Sequence, residues 1–138
     1  MTPQKTPIPN IARFWIIWFA IMNGLFIMLF VAGGGIPKGS NVGQPPAWIV
    51  GACATLAVLA IAIRFLVIPR IKQLSQLLPA MILGLAFAEA VGILAIFILG
   101  KEFPETRMTL FLTSVFTVLV YAPSYATNLA IGALNSKR

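Results

Sequence analysis

Residues 77–99, LLPAMILGLAFAEAVGILAIFIL, are apolar from end to end except for one carboxylate, Glu89, at the centre. An α-helix rises about 1.5 Å per residue, so this segment is long enough to cross a hydrocarbon layer of roughly 30 Å. Glu89 would then lie near the bilayer midplane. A charged carboxylate there is costly, and an ionisable group inside a span marks a functional site by default. The other two acids, Glu102 and Glu105, fall in the short polar segment just after this helix.

The rest of the chain agrees with a membrane setting. Of 138 residues, 59% are hydrophobic and only 9% charged, against about 25% charged in a soluble domain. The net charge of +7 is no nucleic-acid footprint, because the ten Lys and Arg are scattered at helix ends, where membrane proteins keep them. There is no His and a single Cys, Cys53. That excludes a disulfide within the chain and leaves almost nothing to ligate a metal or haem, so no cofactor is expected.

In order along the chain, residues 1–10 form a proline-rich polar tail ending at Asn10, a reasonable N-cap. Four spans are expected, at about 11–32, 47–68, 78–100 and 108–130. The first carries Trp15 and Trp18, which suit a membrane interface. Its apolar run exceeds the usual signal-peptide core, so it reads as an uncleaved span. Residues 33–46, GGGIPKGSNVGQPP, read as a flexible turn. A glycine-rich loop can cradle phosphate, but here no Lys-Thr pair follows and no strand precedes. The second span has Trp48 at one interface and a small-residue row, Gly51, Ala54, Ala57 and Ala60. The third has its own row, Gly84, Ala88 and Gly92. Such rows let helices approach closely, so the two should face each other or a second copy of the chain. Arg64 can snorkel to the headgroups, Pro69 disturbs the end of the second span, and Pro123 should kink or stop the fourth.

Lysine and arginine placement orients the spans. Lys5, Arg13, Arg64, Arg70, Lys72, Lys137 and Arg138 fall on one side, and Lys38, Lys101 and Arg107 on the other. Positive charge is retained in the cytoplasm. The expected fold is therefore an all-α membrane protein, an antiparallel up-down-up-down bundle of four transmembrane helices with both termini cytoplasmic, in a bacterial inner membrane. It is one integral membrane domain over 1–138.

Depth brings polar residues together. Asn23, Glu89 and Thr117 stand at the middle of the first, third and fourth spans and should share one level as an ion site. Thr109, Thr113, Thr117 and Tyr121 recur four apart and so share a face of the fourth span, with Asn128 continuing the line. Thr113, Tyr121 and Asn128 would extend a polar pathway from the site. The alternative is that each hydroxyl bonds its own helix one turn back.

Around Glu89 the sequence GLAFAEAVGILAIFIL resembles the carboxylate-bearing helix of the c subunit, or proteolipid, of rotary ATP synthases. Gly84, Leu85, Ala86, Phe87, Glu89 and Ala90 match that family's GLAFxEA-like setting. The preceding loop PRIKQLSQL is basic and contains Gln73 and Gln76, and the helix before it is alanine-rich, as in the family's hairpin. The likeness covers about residues 48–100. The dense alternating glycines of the inner helix and the Arg-Gln-Pro loop signature are absent, and two further spans flank the hairpin. The resemblance implies a proton- or Na⁺-binding role for Glu89 in a homo-oligomer or larger membrane complex.

Two function classes follow. In the first, Glu89 binds and releases a proton or Na⁺: hydrocarbon disfavours its anion, which suits a proton carrier, whereas nearby hydroxyls and an amide would favour bound Na⁺. In the second, the chain is a structural or accessory subunit and Glu89 is hydrogen-bonding glue between helices. An inward, fully bonded Glu89 favours a structural or self-contained site, and an outward one favours the rotor. With no His, no Asp and no second acid at depth, enzymatic chemistry is not expected.

Overall fold

The computed structural model describes residues 11–135, all helices, turns and loops with no strand among them. The helices are α1 (Ala12–Ala32), α2 (Ala47–Arg70), α3 (Leu74–Phe97), α4 (Pro104–Val120) and α5 (Ser124–Asn135). Four stretches are long and apolar enough to cross a membrane: α1, α2, α3 and the α4–α5 stretch Pro104–Gly132. The last has a mean hydropathy of 1.4 against 2.3 for the others, reflecting its Thr, Ser and Tyr residues. Phe19, Val31, Trp48, Phe65 and Phe116 stand exposed on the outside, the reverse of a water-soluble surface. The protein is an integral membrane protein. Asn10 and the charges Lys5, Lys137 and Arg138 lie outside the described residues.

Prolines and glycines set the helix ends. Pro69 lacks a backbone N–H, so α2 widens to a π turn at Ile63–Val67 and tightens to a 3₁₀ turn at Ile68–Arg70 before stopping. Gln73 is extended (φ −114°, ψ 128°) and α3 starts at Leu74, four residues before the expected 78. Its sixth residue, Pro79, sits early enough for the helix to continue. Gly100 (φ +60°) turns the chain after α3. Pro104, at the first helical position, then starts α4 earlier than the expected 108. Pro123 does interrupt the last span: α4 ends at Val120 and α5 resumes at Ser124.

α3 is the centre of the molecule, packed chiefly against α2 and α4 and also touching α1. Its buried positions Leu77, Met81, Gly84, Ala88, Gly92 and Ala95 recur every three or four residues, one continuous stripe. The main core joins this stripe to Leu25, Leu29, Phe111, Val118 and Tyr121. A smaller cluster of Ile49, Cys53, Val91 and Leu99 joins α2 to the other end of α3.

The segment 33–46 is not a loose turn. Val42 N donates to the Glu102 carbonyl (2.9 Å), and Asn41 Nδ2 donates to Thr106 Oγ1 (2.8 Å). Asn41 Oδ1 accepts from the backbone N–H of Glu105 (3.1 Å) and of Thr106 (3.4 Å). These are free donors at the start of a helix, so a distant asparagine caps α4. The expectation of a flexible connector fails because glycines that permit unusual backbone angles also permit close docking.

The two small-residue rows are packed differently. On α3 a Cβ added at Gly84 would collide with the ring and hydroxyl of Tyr121, and one at Gly92 would lie 2.8 Å from both Leu25 Cδ2 and Ser114 Oγ. The α3 row therefore receives α4 and α1. On α2, Gly51 and Ala54 are exposed, and a Cβ at Gly51 would meet nothing within 4 Å. Tyr121 and Ser114 of α4 and Leu25 of α1 fill the α3 groove, and the exposed Gly51 and Ala54 leave the expectation of a second copy of the chain standing.

Candidate functional site

Glu89 sits on the flank of the buried α3 stripe, one residue past Ala88. It is half-buried. Across the helix interface lies Gly24 of α1, where an added Cβ would stand 3.8 Å from Glu89 Oε1. That is an ordinary van der Waals separation, so the carboxyl lies beside the α1 backbone at this level.

The residues expected to share this level are not gathered around it. Asn23 is exposed, and its Nδ2 donates to the Phe19 carbonyl on its own helix (2.8 Å). Thr117 is buried, but its hydroxyl donates to the Thr113 carbonyl (2.7 Å). Thr113 bonds Thr109, and Thr109 bonds Glu105, each one turn back. Thr113 and Thr117 line a groove with Ala57, Val58 and Ile61 of α2, away from α1 and Gly24. Matching depth is not contact: the 3.6-residue period turned each side chain to a different neighbour. Asn128 is exposed at the far end, beside Arg64 and Tyr125.

The hydrogen bonds that do tie helices together run from side chains to backbone. Ser114 Oγ donates to the Ala88 carbonyl (2.7 Å), which lets α4 sit on α3 beside Gly92. The Tyr121 hydroxyl crosses over Gly84 and donates to the Ala60 carbonyl of α2. Trp18 Nε1 donates to the Val118 carbonyl (2.7 Å), and Arg64 Nε to the Val120 carbonyl (2.9 Å). The Arg64 guanidinium also stands 4.3 Å from the Tyr125 ring centroid, a cation–π contact. Arg64 is thus held by protein rather than directed to headgroups as expected.

Sequence reading also missed Arg107, which it counted only as loop charge. Arg107 is 3% exposed, its guanidinium donates to the Gly33 carbonyl, and its Nε lacks a partner among the described residues. Pro104 could have signalled this: a helix starting there carries Arg107 one turn inside. No protein-family model, curated protein or solved structure matches the chain.

Proposed function

We propose that this protein is a small, non-enzymatic membrane subunit that binds and passes a proton through Glu89, as the resemblance to rotary proteolipids suggests. One observation carries the reading. The Glu89 carboxyl is half-buried against Gly24, while the amide and hydroxyls at its depth bond their own helices. A carboxyl used as glue between helices would engage such groups. One left with free bonding capacity and partial access can exchange a proton. The same geometry disfavours Na⁺, since a hard cation needs several oxygen ligands.

The antiparallel arrangement belongs to this proposal, with both termini cytoplasmic in a bacterial inner membrane. It is supported by contact order: Gly92 and Ala88 lie against Ser114, while Gly84 lies against Tyr121, so positions on α3 and α4 run oppositely. The uncovered Gly51 and Ala54 of α2 leave room for a second copy or a larger complex in the bilayer. The test is labelling by a hydrophobic carbodiimide, which reacts with a protonated carboxyl. Glu89 should be modified, less so as pH rises, and Glu89→Gln should abolish the modification while the protein still folds. No labelling at any pH would refute the proposal.

A further inference from the structure

At the end of the molecule opposite the α4–α5 break, the 33–46 segment and the start of α4 enclose a cavity of about 310 Å³. Gly33, Gly34, Gly35 and Pro37 line one side, and Pro104 and Arg107 the other. Three cationic side chains border it: Lys38, Lys101 and Arg107. We propose that this cavity binds a phosphate oxyanion, either the phosphodiester of an anionic lipid headgroup or a free phosphate.

The argument rests on Arg107. Its side chain is almost fully buried, and its guanidinium hydrogen bond goes to a carbonyl, not a carboxylate. Glu102 and Glu105, the acids of this turn, are both exposed. Among the described residues the Arg107 Nε is buried without a partner. A buried cation without a counter-charge is strongly unfavourable, and an anion in the adjoining cavity would supply that charge. Lys38 and Lys101 are exposed at the rim and can close over it from both loops. Guanidinium and ammonium donors match a tetrahedral phosphate by charge and geometry. The cavity lies at a helix end, where headgroups reside, and it is independent of Glu89.

Gly33 and Asn41 hold this arrangement in place. A Cβ at Gly33 would collide with the Arg107 guanidinium, so only glycine admits it. Asn41 occupies the first N–H groups of α4, leaving the cations to contact the anion.

The test uses the purified full chain in neutral detergent, with three additives: phosphatidylglycerol, phosphatidylcholine and inorganic phosphate. Native mass spectrometry reads bound lipid, and thermal unfolding reads stabilisation. Phosphatidylglycerol should bind as one tightly held molecule and raise Tm. Lys38→Gln with Lys101→Gln should weaken that binding about tenfold, while Arg70→Gln with Lys72→Gln, at other sites, should not. Stabilisation by inorganic phosphate as well would assign a free anion, and by phosphatidylglycerol alone a headgroup. Arg107→Gln should lose the response, and the rim variants keep the test decisive if it does not fold. No response to either anion, or an equal response in the rim variant, would overturn the proposal.

Discussion

Gly84 and Gly51 are the same residue type on two neighbouring spans, yet they have opposite roles. Gly84 lies under the Tyr121 ring, held in place by the hydroxyl's bond to the Ala60 carbonyl, whereas Gly51 faces open space. Gly84→Ala should therefore destabilise by about 1–3 kcal/mol through overpacking. Gly51→Ala should change the unfolding free energy in detergent by less than about 0.5 kcal/mol. Equal effects would mean that α2 is covered where it stands exposed. Tyr121→Phe removes one interhelical bond and should cost about 1 kcal/mol, with carbodiimide labelling of Glu89 unchanged, because the two residues lie on different faces of the packing. The glycine row on α3 was legible in the sequence, but its partner was not. Spacing identifies a groove, and what fills it depends on how the facing helix is rotated. The same limit applies to Asn23 and Thr117, whose depth could be counted but whose direction could not.

At the scale of the element, the break at Pro123 has a consequence two helices away. With no N–H on Pro123 and a turn at 121–123, the Ser124 N–H goes to the Ala122 carbonyl and the Val120 carbonyl loses the partner a continuous helix would give it, while the Val118 carbonyl keeps a tighter-turn bond from the Tyr121 N–H (3.0 Å). Unbonded carbonyls are costly in hydrocarbon. Arg64 of α2 takes the Val120 carbonyl, and Trp18 of α1 adds a second bond to the Val118 carbonyl, so the end of α4 at this proline fastens three helices. Trp18→Phe and Arg64→Leu should each lower stability by roughly 0.6–2 kcal/mol. Arg64→Gln, which keeps a donor, should lose less. The check is unfolding of the three variants in mixed micelles, and no loss for Trp18→Phe would show that the bond from the Tyr121 N–H is enough for Val118. Sequence reading located the break from Pro123 alone, because a proline acts on its own backbone. It assigned Trp18 and Arg64 to the bilayer interface, because their partners are carbonyls, which carry no sequence signature.

For the whole molecule, hydropathy was enough to fix the class: four long apolar helices follow from composition and from the lengths of the runs. Their mutual direction rests on short connections and on charge placement. The α2–α3 link spans only 71–73 between two helices in contact, which leaves α3 little choice but to return alongside α2. The 33–46 segment is longer, but it docks on the turn after α3 through Asn41 and Val42. Under the proposed antiparallel arrangement, that contact places the ends of α1 and α3 on one side of the membrane, with the start of α4. If α1 crosses once before reaching that side, residue 4 and residue 40 must lie across the bilayer from each other. With the buried Cys53 replaced by Ser, Gln4→Cys and Ser40→Cys should react with a membrane-impermeant thiol reagent from opposite faces. With the N-terminal side cytoplasmic, as proposed, only the Ser40 variant should be modified in intact cells. The Gln4 variant should react once the membrane is opened. Modification of both variants in intact cells would mean that α1 does not span, and the up-down-up-down arrangement would fall with it.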